Sequence, residues 1–376
     1  MRIAIVASNY SAINKDVARG PEMFVYILLH QMVKQKQKNF DIVAFASGNS
    51  DLPVKIESVE TLSSLEDKSV GDKYHKAFEL ALFSKAFSMQ DQFDLYHINT
   101  GDEKMALPFL RFVKKPVLIT IHSRLESEGI RKFYGLFSNM PQVSFVSISK
   151  SQRKPLPSLN FIKTIYHGIN LDEFVFEEKS GDSVLWIGRG IPEKGLDVGL
   201  DVCKNIPARK ANFLIAPREE HVPWLNQLLK QKSENVQIDL ELNRRLVIEK
   251  YQKAKLFLFP IKWEEPFGLV MVESMACGTP VVAYARGSVS EVIKDGETGF
   301  IVNSSPDDIR GNWIIKKTGV DGLCEAVEKI YSMPEEQYKQ MRRNCRTHVE
   351  KNFTVERMVD DYEKVYEEIL SKNIKS

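Results

Sequence analysis

Two carboxylates, Glu265 and Glu273, stand with seven residues between them in the stretch WEEPFGLVMVESMACGTPVVAYARGSVSEVIKDGETGFIV at 263–302. An ionised carboxylate only accepts hydrogen bonds, so each can take two neighbouring hydroxyls at once. Pro266 and Gly268 break the chain between an apolar run and a helical pattern. The backbone N–H groups of Phe267, Gly268 and Leu269 would then point outward at a helix N-terminus, an anion site that suits a diphosphate. Charges beside a helix start are also ordinary, so the spacing alone assigns no role. A second group is WIGRGIPEKGLD at 186–197, with Arg189 and Lys194 five residues apart in a loop after a strand. Two cations fixed there would stabilise a departing diphosphate more in the transition state than in the ground state. His122 follows the apolar run PVLITI, at the carboxyl end of a strand, where doubly wound sheets bind ligands.

Parallel strands would have to bring these groups together. Short apolar runs at 2–7, 41–46, 94–98, 116–121 and 143–148 alternate with helical stretches such as 23–33 and 73–89. A second series follows at 183–187, 211–215, 236–240, 255–260 and 280–284. This alternation predicts an α/β fold with two doubly wound parallel sheets. A chain of 376 residues is about right for two such domains. The turn-rich, charged stretch YHGINLDEFVFEEKSGD reads as a linker at 166–182, separating domains at 1–165 and 183–350. In the closing segment, 351–376, Val355, Met358, Tyr362, Val365 and Ile369 form the apolar stripe of a helix that must pack on something. Segment 303–320 fits neither period and reads as a loop.

Together, the 263–302 segment and the 186–197 loop resemble retaining glycosyltransferases of family 4, which have the GT-B fold: two Rossmann-like domains facing across a cleft. The resemblance implies that Glu265 contacts the donor sugar hydroxyls, Glu273 holds the ribose hydroxyls, and Arg189 and Lys194 neutralise the donor diphosphate. His122 resembles the family's strand-end histidine facing donor sugar and acceptor. Gly20 stands where the family has a Gly-Gly pair entering the first helix, with Pro21, which lacks an N–H, in second place. FVSISKSQRK at 145–154 and YHGINLDEF at 166–174 match further, the latter with His167 where Asn is usual. Leu240 and Ala216-Pro217 depart from the family where the nucleobase would be read. The final helix resembles one that returns to the N-terminal domain. The implied activity is transfer of a hexose-type sugar from a nucleoside-diphosphate sugar to a sugar, glycan, lipid-linked or small-molecule acceptor, with retention. No cofactor is implied.

Composition narrows the alternatives. Net charge is +2, with 52 basic against 50 acidic side chains, which argues against nucleic acid as a partner. Lys34, Lys36 and Lys38 form a local basic patch, read as a solvated helix end and compatible with a peripheral contact at the inner face of a membrane. Cys203, Cys277, Cys324 and Cys345 form no Cys-x-x-Cys pair, and no run approaches a membrane span, so a soluble cytoplasmic protein is expected. No Asp-x-Asp occurs, so charge neutralisation is expected from cations and helix N-termini, without metal. A glycine fingerprint for dinucleotides fails at 188–193, where Glu193 takes the last position, which weakens an oxidoreductase reading. An epimerase or phosphorylase on the same fold and a non-catalytic nucleotide-sugar-binding protein remain alternatives. Oligomeric state is left open, and acceptor specificity is expected in loops 9–22, 51–72 and 122–135.

Overall fold

The computed structural model describes residues 1–17, 19–35, 40–240 and 243–373. They form two compact units, Met1–Gly168 with Val355–Ser376, and Ile169–Thr354. Lys36 and Lys38 of the basic patch lie outside the described residues.

The first unit is built on seven strands: β1 (Arg2–Val6), β2 (Asp41–Phe45), β3 (Lys55–Glu57), β4 (Leu95–Ile98), β5 (Val117–Ile121), β6 (Val143–Ser147) and β7 (Phe161–Thr164). All pair in parallel, in the order β3-β2-β1-β4-β5-β6-β7. Side chains alternate across a strand, and β1 shows what that does here: Ile3 and Ile5 enter one apolar cluster while Ala4 and Val6 enter another. A strand buried on both faces is largely apolar, with any polar side chain hydrogen-bonded, which is why β1, β4 and β5 stand out as short hydrophobic runs. Helices α1 (Gly20–Lys34), α2 (Gly71–Ser88), α3 (Glu128–Gly135) and the single turn α4 (Lys150–Arg153) complete the connections. Residues Glu103–Phe112 make 3-10 turns around Pro108, which cannot donate to an α-helical ladder.

The second unit carries β8 (Ser183–Arg189), β9 (Lys210–Ala216), β10 (Val236–Asp239), β11 (Ala254–Phe259), β12 (Val281–Tyr284) and β13 (Gly299–Val302). Their order is β10-β9-β8-β11-β12-β13, all parallel, so the chain reverses its direction of travel between β8 and β11. Such a switch point opens a crevice at the carboxyl ends of the two strands. The helices are α5 (Leu196–Asn205), α6 (Val222–Leu229), α7 (Arg244–Lys253), α8 (Leu269–Ala276), α9 (Val289–Val292), α10 (Gly319–Tyr331) and α11 (Glu335–Asn352). Residues from Ile169 onward in the stretch read as a linker belong to this unit. Phe174 is buried, and the fully buried Arg342 of α11 donates to the carbonyls of Glu177, Gln252, Ala254 and Cys277. One guanidinium thereby satisfies carbonyls at the ends of α7 and α8 that the helices leave unpaired. Residues 303–318 form no helix or regular strand; Asn303 organises them by accepting from Arg310 N and Trp313 Nε1 and donating to Gly311 O.

The last helix, α12 (Val355–Asn373), is part of the first unit. Its stripe of Val355, Met358, Tyr362, Val365 and Ile369 is buried with Phe24, Leu28 and Met32 of α1. A polar chain fixes its register. His97 on β4 pairs through Nδ1 with Tyr366 Oη at 2.6 Å and through Nε2 with Thr120 Oγ1 at 2.8 Å, and Thr120 Oγ1 lies 3.0 Å from Tyr362 Oη. Burial pushes the His97 imidazole down from 6.5 to about 3. The unfolded chain therefore binds a proton that the folded chain refuses, so stability is complete above the unfolded value and drains away as pH falls from 6.5 toward 3. In His97→Gln the loss of stability on acidification should be shallower by up to ~1.4 kcal/mol per pH unit. Melting curves of both proteins between neutral pH and mild acid measure it; parallel profiles would contradict this account of the polar chain.

Candidate active site

Most of the predicted site residues lie in the second unit, at the carboxyl ends of β8 and β11. Arg189 is the last residue of β8, and Lys194 follows within a short 3-10 turn that ends at Gly195. Gly195 has φ +69°, and a Cβ there would meet Pro260 O at 1.9 Å, so only glycine lets this loop lie against the end of β11. Lys194 Nζ consequently reaches Glu265 Oε2 at 2.9 Å. Trp263 Nε1 donates to the same oxygen at 2.8 Å. The indole face is shared by both cations, with Lys194 Nζ 4.6 Å and the Arg189 guanidinium carbon 5.4 Å from its centre. Glu265 is 9% exposed and Lys194 is mostly covered, so the pair operates largely out of water.

A second strand-end turn holds Glu265 in place. Gly287 has φ +57°, and a Cβ on it would fall 2.2 Å from Glu265 O. Ser288 N donates to Glu265 O at 2.9 Å, and Ser288 Oγ donates to Phe267 O at 2.8 Å. The neighbouring Glu264 accepts from Gly287 N, Arg286 Nη1 and Arg310 Nη1 at 2.8, 3.2 and 2.7 Å. Burial pushes the Glu264 carboxyl up, but the Arg310 and Gly287 hydrogen bonds outweigh it and leave the group below the usual carboxylate range. Adjacent glutamates thus differ in kind: Glu264 is spent on the ion-pair network, whereas Glu265 faces the cations of the β8 loop. Sequence reading missed Trp263, Glu264, Arg286, Gly287 and Arg310; of these, only the ARGS turn at 285–288 gave a local signal, a glycine after a strand.

Gly268 adopts φ +79° immediately before α8, with a Cβ there meeting Met271 Cε at 2.5 Å. Phe267 is buried, its ring edge-on to Phe353 at 5.8 Å, and Leu269 opens the helix. The 267–269 backbone therefore does lie at a helix N-terminus. Glu273 is in the second turn of α8, not the first, so it does not serve as a helix-start charge. Tyr251 Oη donates to its Oε2 at 3.4 Å. Burial pushes the Glu273 carboxyl up, opposed by the nearby Arg244 guanidinium, which is itself paired with Glu173 at 2.8 Å.

Two predicted residues belong to the first unit. His122 follows β5, stacks on the His167 ring at 5.6 Å, meets the Phe24 ring edge-on at 4.9 Å, and sets Nε2 3.3 Å from Asn99 Oδ1. Burial pushes its pKa well below 6.5, so the ring is neutral at neutral pH. Gly20 begins α1 one turn before Phe24, and a Cβ on it would meet nothing within 4 Å. The fold itself does not require glycine at that position. Among the described residues no helix is long and apolar enough to cross a membrane.

Residues 171–348 match the family described as glycosyl transferases group 1. An uncharacterised glycosyltransferase of Methanocaldococcus jannaschii is 25% identical over 262 residues, covering 68% of this chain and 69% of the relative. Phosphatidyl-myo-inositol mannosyltransferase of Mycobacterium tuberculosis is 24% identical over 258 residues, covering 65% and 67%. In fold, the chain resembles sucrose-phosphate synthase from Thermosynechococcus elongatus, with TM-score 0.75, 18% identity and 99% of each chain covered. It also resembles Anabaena HepE in complex with UDP and glucose, with TM-score 0.73, 15% identity, and 98% and 100% covered. Two parallel Rossmann-like sheets of the GT-B type, with a group 1 match spanning the unit that holds the paired glutamates, make this chain similar to the glycosyltransferases of group 1.

Proposed function

We propose that this glycosyltransferase takes a hexose-type sugar from a nucleoside-diphosphate sugar and transfers it, with retention of anomeric configuration and without metal, to an acceptor hydroxyl. The observation that carries the reading is the cluster of Arg189, Lys194 and Trp263 around Glu265 at the switch point of the second sheet. Lys194 and Trp263 both hold Oε2, which fixes the carboxylate and turns Oε1 into the oxygen for the donor sugar's hydroxyls. Arg189, at the mouth of the same turn, and the α8 N-terminus are placed to meet the diphosphate. Glu273, held by Tyr251, is the acceptor group for the ribose hydroxyls. Support for a nucleotide sugar also comes from HepE, whose structure contains UDP and glucose.

The chemistry follows from where charge develops. As the glycosidic C–O bond breaks, the diphosphate gains negative charge and the sugar carbon positive charge. Lys194, mostly covered, and Arg189, exposed at the end of β8, supply the compensating charge for the first. With two cations and a helix terminus supplying the compensation, a divalent ion has no separate task. Retention fits an acceptor oxygen attacking from the face the diphosphate leaves, and the leaving phosphate is then the natural recipient of the acceptor's proton. His122, neutral, offers a hydrogen bond to a sugar hydroxyl and does not serve as a cation. A peripheral attachment to the inner face of a membrane is compatible with Lys34 at the exposed end of α1, and the acceptor class decides whether it is needed.

Two outcomes test this. Release of nucleoside diphosphate from a panel of UDP-, GDP-, ADP- and dTDP-sugars, with membrane and glycan extracts as acceptors, should proceed in EDTA and fall roughly 100- to 1000-fold in kcat for Lys194→Met. Activity abolished by EDTA and restored by manganese would overturn metal independence. NMR of the isolated product should show the donor's anomeric configuration; the opposite anomer would overturn retention, and interconversion of the donor without acceptor would instead support an epimerase.

A further inference from the structure

Segment 303–318 reads from sequence as a plain loop, yet in the structure it reaches the strand-end site through a closed ring of four charges. Arg286 donates through Nη1 to Glu264 Oε1 at 3.2 Å and through Nη2 to Asp308 Oδ2 at 2.8 Å. Arg310 donates through Nη1 to Glu264 Oε2 and through Nε to Asp308 Oδ1, both at 2.7 Å. Each guanidinium thus spans both carboxylates, and each carboxylate spends a different oxygen on each guanidinium. A rigid fork of nitrogens can do this, whereas the single ammonium of a lysine is a point charge. The four side chains are 24–31% exposed. An isolated ion pair at that exposure holds little, but a network in which every charge has two partners holds more. Burial pushes the Asp308 carboxyl up, but the Ser304 and Arg310 hydrogen bonds outweigh it and hold the group below the usual carboxylate range, as for Glu264. The ring therefore stays charged in mild acid.

One side of the ring is anchored in the segment. Arg310 N donates to Asn303 Oδ1 at 2.9 Å, Ser304 Oγ donates to Asp308 Oδ2 at 2.7 Å, and Ile314 N donates to Asp295 Oδ2 at 2.7 Å. Ile314 also packs on Gly296, where a Cβ would meet its Cδ1 at 2.4 Å. These contacts tie the segment to residues on both flanks of β13, so Arg310 and Asp308 project from a held backbone. The other side of the ring is the site itself. Gly287 N donates to Glu264 Oε2 at 2.8 Å, and a Cβ on Gly287 would fall 2.9 Å from the Glu264 carbonyl carbon and 2.4 Å from Glu265 N. The peptide joining Glu264 to Glu265 is thus pressed against the 286–288 turn and kept there by the ring. Glu265 shares that peptide, so the tether on Glu264 sets the position from which its carboxylate meets Lys194 and Trp263. A binding carboxylate needs to stay within about 0.5 Å of its productive place.

We infer that Arg310 and Asp308 are positioning residues: through Arg286 and Glu264 they brace Glu265, and segment 303–318 thereby sets how tightly the donor sugar, as distinct from its diphosphate, is held. The inference rests on the reading of Glu265 as the sugar-contacting carboxylate given above. The groups assigned to the diphosphate and the ribose, Arg189, Lys194 and Glu273, are other side chains, so the two affinities can be read separately.

Calorimetric titration of the full chain reads both. UDP, GDP, ADP and dTDP are compared with UDP-glucose, UDP-galactose, GDP-mannose, ADP-glucose and dTDP-glucose, and the gain is the ratio of dissociation constants between a bare diphosphate and the sugar ester the wild type holds best. Arg310→Gln and Asp308→Asn should each cut that gain roughly tenfold, the scale of one lost hydrogen bond to a charged group, while leaving the affinity for the bare diphosphate unchanged. Arg310→Lys, which keeps the charge and loses the fork, should fall between the wild type and Arg310→Gln. Asp308→Asn preserves shape, so it remains informative where Arg310→Gln costs folding. An undiminished gain in both variants, an equal loss for diphosphate and sugar ester, or a wild type that gains nothing from any of these sugars would overturn the inference and leave the nucleotide site standing. A wild type that binds no nucleoside diphosphate would instead overturn the donor reading, and this inference with it.

Discussion

The contact between Lys194 and Glu265 is what the second unit is organised around. It joins the loop after β8 to the loop after β11, two segments far apart in sequence that become neighbours only because the sheet reverses direction between those strands. Taking both charges out of water is costly unless the geometry is good and further hydrogen bonds complete it. Here Trp263 supplies the second donor, and glycines at 195 and 287 let the surrounding backbone approach closely enough to hold the pair still. In the proposed function, a carboxylate fixed in this way offers its remaining oxygen to the donor sugar without reorganising.

The first unit solves a different problem with similar means. At its own switch point the carboxylates Glu22 and Glu79 stand beside the cations Arg19 and Lys76. The polar chain from His97 through Thr120 to Tyr362 and Tyr366 ties α12 to the centre of its sheet. Helix α12 is buried along one stripe and locked by hydrogen bonds in an apolar surrounding, where they are strong.

Much of this was legible in the sequence because it rests on short-range patterns. Strands buried on both faces are apolar runs, and β1, β5, β8 and β11 were visible as such. The stripe of α12 was equally plain. Strands β3, β7 and β13 were not, because KIE, FIKT and GFIV are three or four residues long and carry no period. Glu265, Glu273, Arg189 and Lys194 could be picked out by spacing, yet the partner of Lys194 could not, since that depends on strand order. Glu264 was invisible for the same reason: Arg286 and Arg310 reach it from loops 22 and 46 residues away. Gly20 reads as a special position from sequence, whereas in the structure a Cβ on it would meet nothing within 4 Å.

Isothermal titration of UDP, GDP, ADP, dTDP and NAD against the wild type and Glu273→Ala, in EDTA, tests the central claim most directly. One nucleoside diphosphate should bind the wild type without metal, and the variant should lose at least tenfold in affinity, about 1.4 kcal/mol. Binding of NAD alone, of no diphosphate, or of a diphosphate indifferent to Glu273→Ala would contradict the assignment of the strand-end site in the second unit.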